Sequence, residues 1–332
     1  MSYPGNMRHD GLSDPAAIEI PARQLLGTAC VRGGADCPLF DTGSEADTIL
    51  ARVGSDPSLS IRLTSDADCI PHYSTLDRAD FAALDRDALL NRKRDLDVLQ
   101  RLGLCPGDTR RARYLYEKLL STVESPVGIC ACDTPNWEGC PLARSGAYEH
   151  IRGMGWRTLV FDRTETDRAN ARRQSVERVR NDPVLKIRAH HLMCMCCWVG
   201  AAGGEGTRPN DTLDEVYKRI CADPDVDVML VEGNCEACHC CDGFHPDSTR
   251  CVHAGGLIRD FKKDLDVLQK LGLLPGATLN ARKAVKLIFE RIPSTTDICG
   301  FGDDVVRGEA WTVCGGPGGN QGYLKARETV RF

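Results

Sequence analysis

Asp95-Leu-Asp-Val-Leu-Gln-Arg-Leu-Gly-Leu104 returns almost unchanged as Asp264-Leu-Asp-Val-Leu-Gln-Lys-Leu-Gly-Leu273, Arg101/Lys270 being the one difference. The offset of 169 then holds without a gap through Pro106/Pro275, Gly107/Gly276 and Ile129-Cys130/Ile298-Cys299. A W-x-x-C motif closes each half, at Trp137/Cys140 and Trp311/Cys314. Self-similarity of this kind sets the architecture before any local argument. It predicts an α+β protein made of two tandem copies of a small helix-rich module, each with a short strand and Cys-rich metal-binding loops. The expected layout is a disordered stretch over 1–16, a first, degenerate module over 17–151, a charged linker helix over 152–183 and a second, complete module over 184–332.

Outward from the repeat, hydrophobic periodicity marks the remaining elements. In the first half it predicts helices over 21–30, 44–53, 80–102 and 109–123, and a strand over 59–64. In the second half it predicts helices over 185–200, 212–222, 256–271 and 279–291, and a strand over 226–231. Thr212 with Glu215 three residues on reads as a capping box. The segment between the modules, rich in arginine, reads as a helix charged all round with its arginines in solvent.

The bulk composition is that of a soluble globular chain: 332 residues, 42% hydrophobic and 27% charged. No run of about eighteen apolar residues is present, so no membrane span is expected. The first fifteen residues lack an apolar signal core, which points to the cytoplasm. A net charge of -5 argues against a nucleic-acid partner, whose phosphates demand clustered Lys and Arg.

Eighteen cysteines are the exception to this ordinary composition. A disulfide scaffold suits short secreted chains, not one of this length. Lone thiols such as Cys105 and Cys221 read as small buried hydrophobes. Clustered thiols read as metal ligands or redox groups. The densest cluster is Asn234 to Cys251, N-C-E-A-C-H-C-C-D-G-F-H-P-D-S-T-R-C. Cys235, Cys238 and Cys241 stand at C-x2-C-x2-C, the register of the first three ligands of ferredoxin-type clusters, and Cys251 follows. A thiol every third residue in a tight turn aims several sulfurs into one small volume.

Ile187 to Trp198, I-R-A-H-H-L-M-C-M-C-C-W, supplies a second group. On a helix, Cys194 lies three or four residues from His190, His191 and Cys197, near one face. His190 and His191 are candidate acid/base groups, metal ligands or donors to a cluster sulfur. Cys299 and Cys314 follow the last long helix. In the first half the candidates are Cys69, His72, Cys130, Cys132 and Cys140, with Arg23-Gln24-Leu25-Leu26-Gly27 standing where the second half has His-His-Leu-Met-Cys.

This succession of I-R-A-H-H-L-M-C, a strand, C-x2-C, a further Cys, D-L-D-x-L-x-x-L-G-L-x-P-G and late cysteines resembles the domain-of-unknown-function family 1284. Residues 184–332 carry the whole pattern; the first half keeps only its frame. The resemblance implies iron–sulfur binding without an assigned reaction. It places the family's His-His and first Cys on His190, His191 and Cys194. Its C-x2-C falls on Cys235 and Cys238, its next Cys on Cys251, and its late cysteines on Cys299 and Cys314. Ala189 stands where the family has proline, and Cys196, Cys197, Cys240 and Cys241 are additional thiols.

Spacing alone does not separate an iron–sulfur cluster from zinc, since both accept four thiolates. The third cysteine of the triplet, the surplus of thiols and the resemblance favour one or two [4Fe-4S] clusters. Three functions follow. One is electron transfer to a redox partner protein. The second is an enzyme whose cluster has an open position, with a histidine acid/base. The third is a zinc-stabilised interaction module. Two modules in one chain resemble a fused pair, and a homodimer stays open.

Overall fold

A computed structural model describes residues 17–40, 43–56, 58–67, 85–253, 255–308, 311 and 319–330. Cys69, His72 and Cys314 lie outside the described residues. The chain divides into two compact units, Met1–Asp162 and Arg163–Phe332, each with its own hydrophobic core. The architecture is α+β.

In the first unit β1 (Ile18–Pro21) runs directly into α1 (Ala22–Arg32). Helix α2 (Gly43–Ser55) leads to β2 (Ser60–Thr64), and α3 (Arg86–Leu102) to β3 (Thr109–Arg111) and α4 (Ala112–Thr122). Helix α5 (Ala147–Met154) follows. Strand β2 pairs in parallel with β1, Ile18 opposite Ile61, and antiparallel with β3. A parallel pair needs a crossover, and α1 with α2 provides it.

The second unit starts with α6 (Glu165–Asn181) and then has β4 (Val184–Arg188), α7 (Ala189–Ala202), α8 (Leu213–Ala222) and β5 (Asp227–Val231). A hairpin of β6 (Phe244–His245) and β7 (Arg250–Cys251) closes the cysteine loop. A π-helical turn, Gly256–Phe261, then opens α9 (Lys262–Leu271), followed by β8 (Thr278–Asn280), α10 (Ala281–Arg291) and α11 (Asn320–Thr329). Strand β5 is parallel to β4 and antiparallel to β8.

The repeated decapeptide ends a helix the same way in both units. Gly103 and Gly272 sit at φ 66 and 69, left-handed values that glycine adopts without a Cβ clash. Leu104 donates to the Leu99 carbonyl and Leu273 to that of Leu268, completing a Schellman stop. Pro-Gly then turns the chain, and the amides of Gly107 and Gly276 donate to Leu63 and Leu230 on the central strands. Tyr148 and Tyr323 are fully buried. Their hydroxyls donate to Leu119 and Val123 in one unit and to Ile288 and Ile292 in the other.

Several elements differ from the sequence reading. The stretches read as helix from 109, 185 and 279 each begin with a strand, β3, β4 and β8. Each flows into its helix without a loop, so the apolar pattern shows no break. Thr212 precedes α8 but does not cap it with its side chain. Its hydroxyl pairs with Ser175, and Asp211 accepts from the Leu213 amide instead. Cys105 and Cys221, expected inside, are exposed.

Helices α7 and α11 approach at Gly200 and Gly322, where a Cβ at Gly200 would collide with the Gly322 carbonyl oxygen. Gly200→Ala is expected to lower Tm by about 5 °C, from an overpacking cost of roughly 1–3 kcal/mol. Gly153→Ala, which meets only open space in α5, is expected to leave Tm unchanged or raise it in the same thermal scans.

Candidate metal centre

The site assembles around Asp264 in the first turn of α9, a carboxylate with no solvent exposure. Its Oδ2 accepts from Arg188 Nε at 2.9 Å and Nη2 at 2.7 Å, and from the Gly233 amide at 3.0 Å. Its Oδ1 accepts from the His190 amide at 3.2 Å and from His190 Nδ1 at 2.8 Å. One side chain thereby fixes the end of β4, the start of α7 and the start of the cysteine loop. Burial opposes ionisation of Asp264, but the bonds from His190 and Arg188 outweigh it and hold the carboxyl below its usual range. Burial drives His190 the other way, down to about 4, so its ring is neutral. A neutral ring that donates from Nδ1 keeps its lone pair on Nε2.

His191, next on the helix, brings Nδ1 to 3.4 Å from the Cys235 sulfur, itself 3.9 Å from the Cys238 sulfur. Its bond to Cys235, and then burial, raise the Cys238 thiol well above its usual range. Cys235 is lowered: burial opposes this, but the Cys238 hydrogen bond and the Arg188 backbone and charge prevail. His191, Cys235 and Cys238 place their ligand atoms within 4.8 Å of one another. So do Cys241, Asp242 and His253, and so do Cys251, His253 and Asp260. His253 links the last two groups, 3.7 Å from the Cys241 sulfur through Nε2 and 3.3 Å from the Cys251 sulfur through Nδ1. Burial disfavours a charge on His253, but Asp242 and these two sulfurs overcome it and raise the ring's pKa to about 12. These Cys/His groups can hold a metal ion.

Beside them lies a cavity of about 260 Å³ whose walls include Cys194, Cys238, Cys241 and Cys251, with His190, His191 and His253. Cys194 from the helix thus shares a cavity wall with Cys238, Cys241 and Cys251 from the loop, while Cys235 does not line it. Cys194 also lines a larger cavity, about 650 Å³, with Cys197 and Cys299. Cys197 and Cys299 do not line the first cavity. In the first unit Cys130 and Cys140 line one small cavity that Cys132 does not, and the Cys132 amide donates to the Glu138 carbonyl.

The sequence reading missed what holds the loop. Helix α6 has the all-round charge of a solvated face, yet its arginines and Arg163 before it grip the loop backbone. Arg163 donates to the His239 and Cys241 carbonyls at 2.6 and 2.9 Å, and Arg168 to that of Cys240 at 3.2 Å. Ser175 donates to the Glu236 carbonyl and Arg178 to the Glu236 carboxylate. A helix face built from donors has no hydrophobic period to read. His253 and Asp260 were missed too; lying outside any C-x2-C spacing, they become visible only once the hairpin folds back.

Comparisons with protein-family models, with curated proteins and with solved structures return no match. Among the described residues no helix is long and apolar enough to cross a membrane.

Asp264→Ala would strand the buried Arg188 charge, and a loss of about 3–5 kcal/mol is expected in urea unfolding. In metal-free protein His190 adds a pH dependence. Its folded pKa lies below the unfolded value, so its contribution is complete above about pH 6.5 and is lost as the pH falls toward 4, at up to about 1.4 kcal/mol per pH unit. His190→Gln is expected to flatten that part of the stability–pH curve.

Proposed function

We propose that this protein binds an iron–sulfur cluster in its second unit and passes electrons to a partner protein through it. The observation that carries the reading is the convergence of four thiols, Cys194 from α7 and Cys238, Cys241 and Cys251 from the loop, on one cavity. Four thiolates are the donor set of a [4Fe-4S] cluster, and such a cluster supplies one-electron redox chemistry when bound. The donor set thus fits the group. The surrounding residues suit the role. His191 and His253 stand at hydrogen-bond distance from thiol sulfurs, where donors stabilise added negative charge and raise a potential. The arginine grip of α6 holds the loop's carbonyls in place.

Two further readings each have an observation behind them. The cavity beside the thiols, with the neutral His190 in its wall, suits an enzyme whose cluster has an open position and whose acid/base is a histidine. The 3.9 Å between the Cys235 and Cys238 sulfurs, with His191 alongside, suits zinc, whose tetrahedral bonds of about 2.3 Å separate sulfurs by about 3.8 Å.

Iron, sulfide and zinc content of anaerobically purified protein, with absorption and EPR spectra before and after dithionite, decides among them. Matching iron and sulfide with a brown band that bleaches is expected, as is loss of that band in Cys241→Ser/Cys251→Ser. An EPR shift on adding a small ligand would favour the enzyme. Colourless protein with stoichiometric zinc after anaerobic reconstitution would overturn both redox readings. His253→Ala is expected to lower the midpoint potential by about 40 mV, the equivalent of one hydrogen bond of about 1 kcal/mol in a one-electron couple.

A further inference from the structure

Corresponding residues line a cavity in each unit. Cys30, Pro126 and Cys130 of the first unit match Cys197, Thr295 and Cys299 of the second, and each set forms part of one wall. In the first unit the space is about 10 Å³, closed by Leu39 and Leu142, and among the described residues no charged side chain lines it. In the second unit it is about 650 Å³ and its lining includes Arg208, Lys263 and Lys325. Among the described residues no aspartate or glutamate lines it, in a chain whose net charge is -5. The space falls within the range of roughly 300–1,000 Å³ found for small-molecule sites. A cavity that opens in only one copy of a module, and has three cations where it opens, is not a requirement of the frame that both copies share.

Lys263, in the first turn of α9, is 2% exposed and lines this cavity. Among the described residues its ammonium has neither a hydrogen bond nor an ion pair, and its one partner is the Trp311 ring, whose centre lies 5.6 Å from Nζ. A ring face at that distance offsets only part of what it costs to take an ammonium out of water. The first unit shows how the frame satisfies a cation at this position. Arg94, 169 residues earlier, donates to Asn91 Oδ1 at 2.8 Å and to the Cys130 carbonyl at 3.0 Å. Lys263 makes neither bond, and Asp260, standing where the first unit has Asn91, is paired with Arg259. Lys325, exposed on α11, has no ion pair among the described residues, whereas Arg208 is held by Asp211 at 2.7 Å. Two of the three cations therefore face the cavity without a counter-charge. Among the described residues no three groups of this wall bring ligand atoms within 4.8 Å of one another, so it does not specify a metal ion.

We propose that this cavity binds a small organic anion, a carboxylate or a phosphate ester, with its anionic oxygens at Lys263 and Lys325 and its organic body against Trp198 and Ala201. The anion supplies the negative charge that Lys263 lacks, and a position screened from water strengthens the pairing. Cys194 and Arg208 line both this cavity and the one beside the loop thiols. The ligand thus sits one side chain away from the metal centre. The site rests on the unpaired lysine and not on which metal the loop takes.

The test uses the full chain, reconstituted anaerobically and kept in chloride at constant ionic strength. Calorimetric titration with succinate and with glycerol 3-phosphate is expected to show one site per chain for at least one of them, and the one that binds tells carboxylate from phosphate. Lys263→Met is expected to weaken that binding roughly tenfold or more, the worth of one charge-assisted hydrogen bond. Lys286→Met, which removes an exposed charge on α10, is expected to leave it unchanged. Without added anion, Lys263→Met should melt no lower than the unmutated chain, because an apolar side chain of similar length replaces an unpaired buried charge. A lower Tm assigns the lysine to the fold and overturns the proposal. The unmutated chain gives a reading that no folding defect can mimic: the bound anion raises its Tm where chloride at the same ionic strength does not. Binding of neither anion, which is also the outcome if a metal centre fills the cavity and its thiolates pair with Lys263, overturns the proposal, as does undiminished binding by Lys263→Met.

Discussion

A buried carboxylate with five hydrogen bonds is the constraint on which the second unit depends. Asp264 accepts from Arg188 and His190, at the junction of β4 and α7, and from Gly233 at the start of the cysteine loop. An ionised group in an apolar interior persists only when every lone pair is used. Here the donors are the residues that begin the His-His helix and the cysteine loop. The first unit repeats the arrangement in reduced form. Asp95 accepts from the Arg23 amide at 2.8 Å and from its guanidinium at 2.6 Å. One arginine there does the work that Arg188 and His190 share, and the histidine's lone pair disappears with it.

This explains why the repeated decapeptide is so well kept between the two halves while the cysteines are not. Its aspartate, its leucine face and its glycine stop are structural, and they set where a strand, a helix and a turn meet. The thiols are added to that frame from different positions in each unit. Cys194 comes from a helix; its counterpart is Gly27, whose missing side chain leaves room for the Phe40 ring.

Much of the fold was legible in the sequence because it rests on periodic leucines and on glycines after helices. Leu99 and Leu102, buried, and Gly103, left-handed, read directly. The three-residue strands β3 and β8 did not, being shorter than any alternation can register. The convergence of Cys194 with the loop thiols was legible from helical spacing and C-x2-C register. His253 was not, since it owes its place to the pairing of Phe244 with Cys251 in a two-residue hairpin. Nor was the role of Arg163, Arg168 and Arg178, because backbone carbonyls are acceptors that no sequence motif records.

That grip has a consequence for where the protein can be divided. By sequence similarity the second repeat starts near residue 184, but the wall of its cysteine loop is α6, which precedes it. A fragment starting at Val184 would keep every thiol and lose the guanidinium groups that satisfy the carbonyls of His239, Cys240 and Cys241. The connector is thus part of the vessel, and inheritance of the repeat as a unit requires inheriting the segment before it.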